Sequence, residues 1–111
     1  MDMKYHHPDT SIATIIGPEQ TNWVGDLTLQ VLLGDEVIAV IKGQKSAQFE
    51  IDQDTRFTIR TVNTAFPLLS IEAAALLSRP TTIKLYLTSG SMESAKLVAK
   101  TIYGEPYSKR K

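Results

Sequence analysis

The chain contains no cysteine. That excludes disulfides, thiolate metal sites, a cysteine nucleophile and thiol redox chemistry. It also fits a reducing cytosol, so a cytoplasmic location is expected. Histidine is almost as scarce: the only two, His6 and His7, are neighbours near the start. Adjacent side chains on an extended segment point to opposite sides and cannot face one ion without a turn. With Asp9 they read as a polar end of the chain, not as a metal site. A histidine-dependent triad or zinc centre has no other imidazole to draw on. No P-loop, dinucleotide glycine fingerprint, His-Glu-x-x-His or nucleophile elbow occurs. Neither a cofactor nor a metal is expected, and the chain does not read as an enzyme.

Long apolar runs are missing too, so no membrane span is expected. The start, Met-Asp-Met-Lys-Tyr-His-His-Pro, has no apolar segment of the secretory type. There is no surplus of either charge, since twelve basic residues face twelve acidic ones. The general attraction to nucleic acid or anionic lipid that a basic protein exerts is therefore absent, and neither is expected as a partner. The charges are nevertheless uneven along the chain. Residues 1–54 hold nine acidic and three basic residues, a net of −6, and residues 55–111 the reverse, a net of +6. Separated faces would favour head-to-tail association. Interleaving of strands from the two halves would erase the polarity, and this is the expected outcome.

What the chain does have is the material of one β-domain. Its 111 residues are 42% hydrophobic, enough to bury roughly two-thirds of the unfolded surface without a metal or staple. A single domain over 1–111 is expected, with flexible ends at about 1–9 and 105–111. The most legible stretch runs from Leu27 to Val62, where four β-rich runs are separated by short turns. Leu27, Leu29, Val31 and Leu33 alternate with polar residues, giving one buried and one wet face. Gly34-Asp35 suits a two-residue hairpin with glycine at positive φ. Val37 to Ile41 is apolar on both faces, which predicts a central strand covered on each side and hence a second layer. Ala47, Phe49 and Ile51 point inward on the next run, then Phe57, Ile59 and Thr61. A tight Asp52–Thr55 turn would set Glu50 and Asp52 across from Arg56, Thr58 and Arg60 as exposed register-setting pairs.

Before this stretch, Ser11 to Ile16 is a short β-branched strand ended by Gly17-Pro18, and its partner must be distant. After it, Ser70 to Ser78 is rich in alanine and leucine and predicts a short helix capped by Ser70, with a strand as the competing reading. Thr81 to Thr88 is a strand. Met92 to Tyr103 reads either way; its β-branched end favours a closing strand against 81–88. The expected fold is a mainly antiparallel β-sandwich or flattened barrel of six or seven strands, with one helix at about 70–78.

The span Val31-Leu-Leu-Gly-Asp-Glu-Val-Ile-Ala-Val-Ile-Lys-Gly-Gln-Lys-Ser-Ala-Gln-Phe-Glu-Ile51 resembles the hairpins of small bacterial PEGA-like β-sandwich modules. In those a Gly/Asp turn, an apolar strand, a Lys-Gly turn and a Phe-containing strand follow one another. The resemblance implies a β-sandwich and carries no functional residue.

Three functions are open at this level. A non-catalytic module for protein–protein contact or self-association into a homo-oligomer is favoured by the missing catalytic set. A small-molecule or carbohydrate-binding module would use an aromatic cleft; Trp23, the only tryptophan, with Tyr86 and Tyr103, are the candidate ligand- or partner-binding residues. Turn carboxylates among Asp26, Asp35, Glu36, Asp52 and Asp54 are the one source of acid–base chemistry, and turns favour such residues for local reasons. Asp52-Gln-Asp54 has the spacing of a calcium-loop fragment but lacks the glycine and distal glutamate, so it reads as a turn.

Overall fold

Strand pairing, not helical spacing, organises the described elements, with alternation interrupted where β2 and β3 approach their shared turn. The computed structural model describes residues 9–19, 27–62, 68–88 and 94–107. Among these there are eight strands and no helix: β1 (Ser11–Ile16), β2 (Thr28–Leu33), β3 (Glu36–Lys42), β4 (Ser46–Ile51), β5 (Thr55–Thr61), β6 (Ser70–Ala75), β7 (Thr81–Thr88) and β8 (Lys96–Tyr103). They form two four-stranded sheets, in the orders β4-β1-β7-β8 and β3-β2-β5-β6. All neighbours are antiparallel except β1 and β7, which run parallel with Ala13 beside Thr81. Each sheet takes two strands from the acidic half of the chain and two from the basic half, so the halves interleave.

One core joins the sheets, an architecture compatible with a β-sandwich. The first sheet contributes Ala13, Ile15, Ile51, Ile83, Leu85 and Leu97, and the second Leu29, Val31, Ile41, Phe57, Ile59, Ala73 and Ala75. Phe49 and Phe57 come from opposite sheets, with ring centroids 5.4 Å apart and planes tilted by 31°. Such a tilted pair adds to the area it buries. The buried polar side chains have partners. Ser11 Oγ donates to the Arg79 carbonyl and is hydrogen-bonded to the Tyr107 hydroxyl. Thr81 Oγ1 accepts from the Leu76 N–H, and Thr61 Oγ1 from the Leu69 N–H.

Several expectations are corrected. Residues 70–75 are strand β6, aligned along its whole length with β5 from Arg60/Ser70 to Thr55/Ala75. A helix of two turns is marginal alone. Pairing with β5 instead satisfies the backbone and sets small Ala73 across from bulky, buried Phe57. The described residues form eight strands, not six or seven. The four runs of the first half are not one meander. β2 and β3 form the expected hairpin, with Gly34 at φ 63°, but the Gly43-Gln44 and Asp52–Asp54 connections each carry the chain from one sheet to the other. Glu50 therefore faces Ile12 and accepts from Thr10 Oγ1. Arg56 meets Glu72, and Arg60 donates to Gln30. Most consequential, β3 is an edge strand, not a central one. The expected second layer covers one face of its sheet only.

Two expected pairings hold. β1 finds its distant partners in β4 and β7. β8 closes on β7 in register from Thr81/Tyr103 to Thr88/Lys96. The β1–β4 ladder continues one step past the strands, where the Gly17 N–H donates to the Lys45 carbonyl at 2.9 Å.

Candidate functional site

Of the three aromatic candidates, Trp23 lies outside the described residues. Tyr86 and Tyr103 do not share a cleft. Tyr103 stands across from Thr81 and Tyr86 across from Val98. Thr81 and Tyr86 are an odd number of residues apart on β7, so the tyrosines project from opposite faces of the sheet. Five residues of strand also separate them lengthwise, about 17 Å. The Tyr103 hydroxyl donates to the Ala74 carbonyl at 3.3 Å. It links the free edge of β8 in one sheet to the free edge of β6 in the other.

Tyr86 sits on the outer face of the first sheet. Val98 is directly across, and the Lys84 ammonium lies 5.7 Å from the Tyr86 ring centroid, within cation–π range. Lys84 is itself across from Lys100, and Thr82 from Ile102. Like charges directly opposite are mildly destabilising. This face is therefore basic and apolar together, with Val98 and Ile102 both well exposed.

The four sheet edges differ more sharply than the faces. A free edge offers unpaired N–H and C=O groups, and folds ordinarily blunt it with charge, polarity or cover. β4 carries Ser46, Gln48 and Glu50 on its outer face. β8 carries Lys96 and Lys100. β6 is bridged by Tyr103. β3 reads Glu-Val-Ile-Ala-Val-Ile-Lys, five consecutive apolar residues with a charge only at each end. Val37 is 40% exposed and Val40 54%. Leu33, at the adjoining hairpin turn, is also exposed.

The backbone of β3 is available as well. The Gly43 N–H donates to the Leu27 carbonyl at 2.8 Å. Antiparallel alternation then directs the groups of Ile41 and Ala39 toward β2 and those of Val40 to the free side. The β2–β3 register shifts between Val31 and Leu32, so the regular edge covers the Ala39–Lys42 half of the strand. Among the described strands, nothing pairs with it. Sequence reasoning missed this site because residues apolar on both faces are the signature of a covered strand. The opposite charges at the two ends, Glu36 and Lys42, are the signal that could have marked it.

A shallow cleft of about 290 Å³ lies between β5 and β6, lined by Asp54, Thr55, Arg56, Ala74, Ala75 and Leu76. It contains neither tyrosine and one carboxylate. Asp54 Oδ1 accepts the Leu77 N–H at 2.8 Å, an orienting role for the β6–β7 connection. Asp26, His6 and His7 lie outside the described residues. Among the described residues no three His, Asp or Glu side chains cluster so as to hold a metal ion. No described helix is long and apolar enough to cross a membrane. Comparison of the chain with protein-family models, curated proteins and solved structures gives no match.

Proposed function

We propose that the chain is a non-catalytic interaction module of β-sandwich build that meets another polypeptide, or a second copy of itself, along β3. The observation that supports this is an unguarded apolar edge strand, with Val37 and Val40 both substantially exposed. Strand addition at such an edge gains affinity from main-chain hydrogen bonds and specificity from alternate side chains. Apolar burial adds roughly 25 cal/mol per Å². The cytoplasm is the proposed place of action, on the absence of cysteine.

Lysine-directed cross-linking tests the reading, because Lys42 and Lys45 flank the free edge of β3. Performed on the purified chain and in extract of its native cell, the reaction is expected to join one of these lysines to a second polypeptide, identical or different. Val40→Lys is expected to abolish that product. A chain that stays uncross-linked at both lysines in both settings contradicts the reading.

A further inference from the structure

We propose that the free edge of β8 takes an added strand from an acidic polypeptide, one that presents carboxylates four residues apart with apolar residues between them. This is a different edge from β3, with its own ligand chemistry. Along the outer face β8 reads Lys96, Val98, Lys100 and Ile102, cation and apolar side chain in alternation. Val98 and Ile102 are both well exposed. Lys84 on β7 stands directly across from Lys100, so cations converge on the middle of the row. Among the described residues none of these three lysines meets a carboxylate at ion-pair distance; the Arg56–Glu72 pair is on the other sheet. Across the four strands of the β8 sheet the only acidic residue is Glu50, at the far edge, where it accepts from Thr10 Oγ1.

The backbone is open on the same side, since β8 is the last strand of its sheet. The Gly104 N–H donates to the Pro80 carbonyl at 2.7 Å, one step beyond the Thr81/Tyr103 pair. Antiparallel alternation, unbroken along β7 and β8, then turns the groups of Leu97, Ala99 and Thr101 to the free side. A strand added there bonds to these three residues. Lys96, Val98, Lys100 and Ile102 fall at its non-hydrogen-bonded positions, where facing side chains approach most closely. Edge lysines oppose an ordinary newcomer, and the same lysines attract carboxylates set opposite them. The edge is thereby blunted toward a neutral strand and selective for an acidic one.

Spacing separates a polypeptide from other anions. Lys96 and Lys100 are about 14 Å apart along the strand, with Val98 between them. A nucleic-acid strand carries a charge about every 3.4 Å, so phosphates would fall on the apolar residues. One face of the Tyr86 ring, the aromatic of the outer face, already lies under the Lys84 ammonium and is not open to a base. An anionic lipid surface offers no strand to bond Leu97, Ala99 and Thr101.

Titration of the labelled peptide Val-Ser-Glu-Ser-Val-Ser-Glu-Ser-Val, which carries the pattern in either direction, tests the proposal by fluorescence anisotropy. A saturable rise is expected with the wild-type chain, weakening as salt is raised. Lys100→Glu and Val98→Asp, each alone, are expected to raise the dissociation constant by roughly tenfold, since each brings a carboxylate up to those of the peptide. Val40→Lys on β3 is expected to leave it unchanged. Carbodiimide, which joins an amine to a carboxylate in contact with it, is expected to couple a peptide glutamate to Lys96 or Lys100. Circular dichroism checks that each variant is folded, and the coupling, made on the wild-type chain, locates the site without any variant.

A peptide that does not bind overturns the proposal, whether oligothymidylate, phosphatidylserine vesicles or a second copy of the chain binds in its place. Coupling at Lys42 or Lys45 alone also overturns it, and would instead set the peptide on β3. Failure at β8 leaves the β3 reading to its own cross-linking test.

Discussion

Two glycines separate two kinds of local requirement. Gly34 sits at φ 63° in the β2–β3 turn with open space where a Cβ would lie. Gly17 is held against the β3–β4 turn, where a Cβ would overlap the Gly43 carbonyl oxygen. Gly34→Ala is expected to cost about 1–2 kcal/mol, the left-handed penalty alone. Gly17→Ala is expected to cost more, because backbone must move and the hydrogen bond to the Lys45 carbonyl goes with it. Urea denaturation of the two variants measures the order, and an equal or smaller loss for Gly17→Ala contradicts it. The turn role of Gly34 was legible from Gly-Asp between two apolar runs. The steric role of Gly17 was not, since it depends on a turn more than twenty residues away. Tyr107 was hidden for the same reason. In sequence it belongs to a polar tail, yet its hydroxyl is shared with Ser11 and its N–H donates to the Ser78 carbonyl.

Among the elements, alternation was readable and partnership was not. The inward residues of β4, β5 and β7 follow from period two, as do Leu29 and Val31 on β2. Leu33, expected inward, is exposed, and Leu32 is buried where the register shifts. The β2–β3 and β7–β8 pairings were legible as well. Whether a short turn returns within one sheet or crosses to the other is not encoded in the turn residues alone. Gly34-Asp35 and Gly43-Gln44 look alike, and only the first closes a hairpin. The alanines of 70–75 favour helix intrinsically, but β5 presents a long pairing edge, and small residues fit beside Phe57. Ala74 tests this directly. Its side chain is half-buried on the outer face, across from Arg56. Ala74→Val is expected to leave stability unchanged or raise it by a few tenths of a kcal/mol, as β-branching favours a strand. In a helix the same change would lower stability by about 0.5 kcal/mol. Thermal unfolding distinguishes the two signs. The Arg56–Glu72 pair of the same sheet, at 3.4 Å with both side chains largely exposed, contributes little beside this.

At the scale of the whole molecule, two sheets built from interleaved halves leave four edges, and three of them are blunted. On β3 the fold joins an unpaired backbone edge to the exposed apolar side chains of Val37 and Val40. The outer face around Tyr86, basic and apolar, is a second exposed surface without an equivalent backbone demand. The central claim is that the free side of β3 is paired in the working protein. Amide hydrogen exchange at Val40, followed across a dilution series of the wild-type chain, tests it most directly. The N–H of Val40 is expected to exchange rapidly in dilute solution and slowly either in concentrated solution or in extract of the native cell, while that of Ile41, bonded to β2, stays protected throughout. Exchange at Val40 that is fast at every concentration and in the extract would contradict it.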